Sequence, residues 1–365
     1  MKNIKNTKKN NFIKKIFIKL CRLLGFEIID QSNFTVPTIN KDLNENLSLP
    51  GEKSITIPLG EVKIIKKIKS IKIIIRTCTS ELIMDQNKKR LFDQQKSEYT
   101  FRSLNSLLKS IELAQNFFKD TIFEIIITDT NSKKNDIEKM KFILNKFKIK
   151  NRFIEINLHD FKNKIASGYS NAKFANMANF YTSLLIAKEE ADDIFYFVED
   201  DYIHADETIL EMLFSYEKFF TLFKKDLVLI PSDYPYLYMN DMDTKLYLGE
   251  KKHWRLIKES LVTFMTSRDL ILQNFNELEK MGQQWSDPWE KPLHEIYEKY
   301  PCLSPVPSLS IHCSNINSAF GLSPNINWKK IWDENKVEIK KGLGFLHLSL
   351  NFKFQLFWNY IVSLL

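Results

Sequence analysis

The amino-acid sequence predicts an α/β fold, a mostly parallel central sheet with helices on both faces. Three observations carry this reading. Short runs rich in β-branched and aromatic residues alternate with longer amphipathic stretches, the runs are apolar throughout as strands buried on both faces are, and each ends in polar residues. Strands joined by helical crossovers lie parallel with right-handed connections, which covers both faces of the sheet.

The elements follow in order. Residues 71–75 form the first strand, closed by Arg76 and Thr77. A helix near 101–118 carries Leu104, Leu107, Leu108, Ile111 and Leu113 at core spacing. A second strand over 122–128 ends at Asp129, a helix covers 134–148, and a third strand covers 152–157. A helix near 172–190 leads to the strand 194–198, which ends in Glu199, Asp200 and Asp201. After a helix at 207–223, the strand 227–230 ends at Pro231, Ser232 and Asp233. In open sheets of this kind a ligand sits outside the carboxyl ends of the strands. Arg76, Asp129 and the three adjacent acids all fall on that edge. One polar strand end would mean little, whereas several from different strands describe one site.

Composition narrows the chemistry. With 365 residues, 44% of them hydrophobic and 27% charged, the chain is ordinary globular material. None of the nine glycines forms a G-x-G-x-x-G or G-x-x-x-x-G-K pattern after a strand-like run, which excludes a Rossmann dinucleotide site and a P-loop. The four cysteines contain no C-x-x-C pair, which argues against structural zinc and a secreted disulfide framework and leaves a reducing, cytoplasmic setting as the default.

The formal charge is +8, and residues 1–26 hold eight cations (Lys2, Lys5, Lys8, Lys9, Lys14, Lys15, Lys19, Arg22) and no acid. The rest of the chain is therefore neutral overall, and nucleic acid is not an expected partner, because a phosphate-binding groove needs excess positive charge on the folded body. Ile13, Ile16, Phe17, Leu20 and Leu24 share one helical face, with Lys15, Lys19 and Arg22 opposite. This basic amphipathic helix is too short and charged to span a bilayer and lacks an apolar signal-peptide core. Lying flat, it suits a peripheral anionic membrane surface, the inner face of the cell membrane in a cytoplasmic protein; the alternative is that its stripe docks on the protein's own body.

The expected organisation is a membrane-associating helix (1–30), a polar linker (31–60), an α/β half (61–232), a second half (233–340) and an apolar C-terminal segment (341–365). In the last, Leu346, Leu348, Leu350, Phe352, Phe354 and Leu356 alternate with polar residues as in a half-buried strand. A membrane span over 343–365 is not expected, since Lys353 near its middle would cost about 2.5–3.5 kcal/mol.

Glu199, Asp200 and Asp201 follow five apolar residues, so a strand delivers them from the core to the sheet edge. Three adjacent carboxylates repel one another unless a cation sits among them. Hard oxygen ligands suit Mg²⁺ or Mn²⁺, with positions left open for diphosphate oxygens. The plainer reading is an exposed acidic turn.

At these residues the chain resembles the glycosyltransferases of the A type, nucleotide-sugar-dependent enzymes of the broad family-2-like group. The resemblance rests on Ile-Ile-Ile-Arg-Thr at 73–77, Ile-Ile-Thr-Asp-Thr-Asn-Ser at 126–132, the stretch 176–187 and Tyr-Phe-Val-Glu-Asp-Asp at 196–201. It covers roughly residues 70–330 and is strongest at the acidic motif, where E-D-D stands in place of the commoner D-x-D. It implies that Arg76, Thr77, Asp129, Asn176, Glu199 and Asp200 contact the nucleotide sugar. It further implies that Asp201 ligates the metal, with His312 as the late histidine completing the site; a lone histidine can equally be structural.

From Pro231 onward lie eight of the eleven prolines and all six tryptophans, a composition suited to shaped loops. Tyr234, Tyr236, Tyr238, Trp254, Trp285 and Trp289 offer flat faces for sugar rings, or pack the core. His253 and Arg255 are candidates for acceptor or phosphate contacts. Asp287 and Glu290 are comparable candidates for the general base of an inverting transferase, although Asp287 before Pro288 also reads as a helix cap. The expected reaction moves a sugar from a nucleotide-diphosphate sugar to a saccharide or lipid-linked acceptor of the cell envelope. Two alternatives stand beside it: a metal-dependent nucleotidyltransferase, disfavoured because residues 77–100 contain no glycine for a phosphate loop, and a membrane-attached glycan-binding module without activity.

Overall fold

A computed structural model describes residues 11–26, 64–80, 91–190, 192–238, 243–313 and 325–338. The linker and the strand expected over 346–356 lie outside the described residues. The chain divides into two units, Met1–Ile65 and Lys66–Leu365.

In the first unit, helix α1 (Asn11–Leu23) is the amphipathic segment expected. Ile16, Phe17, Leu20 and Leu23 are each more than half exposed, so its apolar stripe faces solvent. Among the described residues, no helix is long and apolar enough to cross a membrane.

The second unit runs β1 (Ser70–Thr77), α2 (Lys96–Phe117), β2 (Ile122–Asp129), α3 (Lys134–Leu144), β3 (Lys150–Glu155), α4 (Asn171–Glu189), β4 (Ile194–Glu199), β5 (Tyr202–His204) and α5 (Thr208–Phe223). It continues through β6 (Val228–Leu229), β7 (Leu246–Leu248), β8 (His253–Ile257), β9 (Phe264–Ser267), α6 (Arg268–Gln273), α7 (Phe275–Gln283), α8 (Lys291–Tyr297), β10 (Cys302–Val306), β11 (Ser310–His312) and α9 (Trp328–Glu334). Nine strands form one sheet in the order β3-β2-β1-β4-β9-β6-β10-β8-β7. β1 to β4 are mutually parallel, β9 inserts antiparallel between β4 and β6, and β10 lies parallel to β6. This is the α/β class that the sequence predicts. The two halves expected at 61–232 and 233–340 share this single sheet, because β9, β6 and β10 continue hydrogen bonding from β4.

Alternation divides the core. Ile71, Ile73 and Ile75 of β1 pack with Leu104, Leu107, Leu108 and Ile111 of α2, whereas Ile74 joins Phe180 and Leu184 of α4 on the other face. Both faces are apolar because both are covered, which is why these strands read as unbroken hydrophobic runs.

Two buried polar groups hold the framework. Glu211 on α5 is 2% exposed, and its carboxylate accepts hydrogen bonds from the backbone of Glu250 (3.0 Å), Lys251 (2.8 Å) and Lys252 (3.2 Å) and from Trp254 Nε1 (3.2 Å). It thereby fastens the β7–β8 turn. The backbone approaches so closely that a Cβ at Gly249 would lie 2.3 Å from Trp254 Nε1 and 2.6 Å from Glu211 Oε1. The second group is His204, fully buried, whose Nε2 meets the Tyr196 hydroxyl at 2.7 Å; burial pushes its pKa down to about 3.

Glu211→Ala strands these donors and should cost roughly 2–4 kcal/mol, read as a drop of several degrees in Tm. His204 stays neutral in the folded chain while an unfolded histidine takes a proton near pH 6.5. Its contribution is therefore complete above that pH and declines by about 1.4 kcal/mol per pH unit below it. Tm measured from pH 7 to 4.5 should fall less steeply in His204→Gln than in the wild type.

Candidate active site at the carboxyl edge of the sheet

The alternation that divides the core also divides the polar residues at the strand ends. Thr77 and Asp129 continue the parity of the α2/α3 face, and Arg76 and Glu199, directly paired in register, continue that of the α4 face.

On the first face, Thr77 Oγ1 donates to Asp129 Oδ1 at 2.6 Å and the Ser132 amide donates to Oδ2 at 3.1 Å. Asp129 is 2% exposed, and burial pushes its carboxyl upward against these hydrogen bonds. Asn131, at φ 57°, turns the chain just beyond it, a conformation asparagine tolerates. Asp200 belongs to the same face. Its Oδ2 accepts from the Cys78 amide at 3.3 Å and from Thr100 Oγ1 on α2 at 2.8 Å.

On the second face, Arg76 is 5% exposed. Its Nη1 donates to Asn176 Oδ1 at 3.0 Å, and Nη2 lies 3.1 Å from Glu199 Oε1. The guanidinium packs over the rings of Phe180 and Trp289 at 5.4 and 5.7 Å. Glu199 also engages Thr263, through its own amide (3.1 Å) and through Oε2 (3.4 Å). Burial raises the Glu199 pKa, Arg76 opposes that rise, and the charge of Asp201 adds to it.

Asp201 and His312 meet across the small β5–β11 pair, with Asp201 Oδ2 3.4 Å from His312 Nε2. The imidazole stacks on Tyr202 at 4.6 Å and 12°, and the Tyr202 hydroxyl meets that of Tyr234 at 2.7 Å. Burial lowers the histidine's pKa, and Asp201, Glu199 and Glu290 together more than offset it, so the net displacement is upward.

The three acids therefore do not converge, contrary to the expectation that they share one cation. The chain turns after β4, and each carboxylate finds its own partner: Glu199 with Arg76, Asp200 with Thr100, Asp201 with His312. The fit to a metal lies in the last pair. Two neighbouring ligands about 2.1 Å from Mg²⁺ stand roughly 3 Å apart, close to the 3.4 Å observed, and both side chains keep part of their surface exposed. Among the described residues one three-acid group has ligand atoms within 4.8 Å of one another, Glu124, Glu190 and Asp192. It lies at the opposite edge of the sheet, and the Lys72 ammonium is ion-paired to all three, with Lys150 and Arg152 alongside. That group is neutralised by the protein's own cations and is not built for a metal.

The acceptor half is only partly as expected. Helix α8 starts at Lys291 with Glu290 as its N-cap and Pro292 in its first turn, so Asp287 does not cap it. Asp287 is exposed and Glu290 half-buried. Burial raises the Glu290 carboxyl, while Arg76 and His312 pull it down, placing Glu290 within the field of both. Tyr234, Trp254 and Trp289 are core residues, at most 5% exposed. Arg255 is not free for a ligand phosphate: it is ion-paired to buried Asp233, which also accepts from Tyr238. His253 is exposed at the start of β8. Thr100, Thr263 and Tyr202 escape sequence reading because isolated threonines and tyrosines carry no spacing signal; the repeated Tyr-Ile-His and Ser-Ile-His that pair as β5 and β11 are the nearest to one.

No protein-family model matches the chain, and no curated protein matches it. Solved structures do match. The apo WbbM bifunctional glycosyltransferase is 10% identical over 66% of this chain and 38% of its own, with a TM-score of 0.34. The galactosyltransferase LgtC, in complex with donor and acceptor sugar analogs, is 13% identical over 62% of this chain and 66% of its own, at 0.31. UTP-bound UGPase from Acinetobacter baumannii is 11% identical over 78% and 99%, at 0.36. The chain thus spans less than two thirds of the first two. All three scores lie below 0.5, and the chemistry of the site rests on this chain's own residues.

Asp200 and Asp201 should separate by stability. Asp200→Ala removes the acceptor for Cys78 and Thr100 and should cost roughly 1–3 kcal/mol; Asp201→Ala, at a partly exposed pair, should change Tm little. Thermal denaturation of both variants checks this.

Proposed function

We propose that the protein is a divalent-metal-dependent glycosyltransferase that moves a sugar from a nucleotide-diphosphate sugar to a saccharide or lipid-linked acceptor of the cell envelope. The observation that carries the reading is the Asp201–His312 pair, 3.4 Å apart at the carboxyl edge with Glu290 in its field. Thr77 and Asp129, 1% and 2% exposed and hydrogen-bonded to each other, brace the strand ends beside it.

Asp201 and His312 would hold Mn²⁺ or Mg²⁺. When bound, that ion neutralises charge on the departing nucleoside diphosphate. Glu290 accepts the proton of the acceptor hydroxyl as its oxygen attacks the anomeric carbon and the bond to the diphosphate oxygen breaks. Burial raises its carboxyl above the ordinary carboxylate range, the direction that makes a carboxylate a stronger base. Asp287, exposed and outside the capping position, is the weaker candidate. Trp285, half-buried and stacked on Trp289 at 5.2 Å, and exposed Tyr238 remain as faces for an acceptor sugar.

Helix α1 anchors the enzyme reversibly to an anionic leaflet, which supplies roughly 1 kcal/mol per basic residue near the surface. Its exposed apolar stripe supports this placement.

The test is a panel of UDP- and GDP-sugars with Mn²⁺ or Mg²⁺. Release of nucleoside diphosphate, abolished by EDTA and at least 100-fold lower in Asp201→Ala and His312→Ala, is the expected result; pyrophosphate formation would instead indicate nucleotidyl transfer, and no product a binding module. The full chain should sediment with phosphatidylserine-containing vesicles and the chain lacking residues 1–26 should not, with donor hydrolysis equal in both.

A further inference from the structure

Arg76 is a charge without an evident ligand. Its guanidinium lies under the protein surface, with Nε buried without a hydrogen bond among the described residues and Nη2 buried against the Glu199 carboxylate. A nucleotide therefore cannot reach those atoms in this arrangement. A buried guanidinium is costly to desolvate, and an apolar side chain of similar volume would fill the space more cheaply. Its surroundings indicate what the charge does. Two anchors tie it to the sheet and to α4, the Glu199 carboxylate and Asn176 Oδ1. Its guanidinium carbon lies near two adjoining rings: Phe180, which belongs to α4, and Trp289, which belongs to the loop between α7 and α8. Trp289 is held in turn by Nε1 donating to the Met281 carbonyl at 2.9 Å and by edge contact with Phe180 at 5.5 Å. The next residue is Glu290.

We infer that Arg76 is a positioning residue that fastens the 284–290 loop to the carboxyl edge of the sheet, with Trp289 as the fastened side chain and Glu290 as the group thereby aimed at the site. This rests on Glu290 acting as the base. It replaces the nucleotide-contact role that the resemblance implies for Arg76. Neighbouring residues of β1 then fasten different elements, Thr77 the end of β2 through Asp129 and Arg76 the loop that carries Glu290. Lysine cannot substitute fully, because only the planar guanidinium stacks on a ring while bridging two oxygens.

Two measurements on the full chain test this. Hydrogen exchange of the 284–290 peptide should be at least tenfold faster in Arg76→Met than in the wild type, and unchanged in Thr77→Val. Donor kinetics, followed as hydrolysis of the UDP- or GDP-sugar that the wild type turns over, should show kcat lowered at least 30-fold in Arg76→Met, with KM and the calorimetric affinity for UDP or GDP with Mn²⁺ within threefold. Arg76→Lys should recover part of kcat. Trp289→Leu, which leaves the Arg76 ion pair in place, should give a similar loss that does not multiply with that of Arg76→Met; it carries the comparison where Arg76→Met does not fold. Unchanged exchange in the loop, or weakened nucleotide affinity at unchanged kcat, overturns the inference. Full hydrolysis by Glu290→Gln would instead sink the base assignment, and leaves the exchange result to judge the fastening.

Discussion

Side chains at successive positions of a strand point to opposite faces, and every functional feature of this protein follows from that rule applied at the carboxyl edge. Because the sheet is covered on both sides, the last residues of β1 and β4 cannot all turn toward one pocket. Thr77 and Asp129 fall on the α2/α3 side and Arg76 and Glu199 on the α4 side. The strand ends thus build two adjoining half-sites rather than one cluster, and the turn after Glu199 carries Asp201 to a third partner, His312.

The same separation governs charge. At the amino edge, Lys72 sits among Glu124, Glu190 and Asp192, and each charge has a counter-charge within the protein. At the carboxyl edge the balance is incomplete, with one arginine and one histidine facing Glu199, Asp201 and Glu290. Among the described residues, the acids at this edge outnumber the cations that face them. The contrast between the two edges, more than the count of acids at either, marks the amino-edge group as a framework network.

The framework was legible because its signals are local and repeated. Strand runs such as 71–75 and 122–128 fall inside the observed β1 and β2, and α2 and α4 differ from their expected spans by a few residues at the ends. The short strands of the second half were not legible. β7 and β11 hold three residues each, too few for a period to emerge, and exist because a neighbouring strand offers an edge to pair with. At the end of β4, the E-D-D run misled about its geometry: adjacency in sequence suggested convergence, and a turn made the carboxylates diverge. Asp287 looked like a cap because a proline followed it, but α8 begins only at Lys291, with Glu290 as its cap and Pro292 in its first turn.

By itself the sequence determined the α/β class, the edge at which polar residues gather and the amphipathic pattern of α1, since hydrophobic period and strand-end polarity are properties of short stretches of chain. Which acid meets which partner was decided only by the tertiary structure. That Arg76 lies beneath Trp289, that His312 stands beside Asp201 and that Trp254 is core rather than platform all depend on residues far apart in the chain, from 43 positions for Trp254 and Glu211 upward. Contacts over such distances arise when layers pack, and no local pattern encodes them.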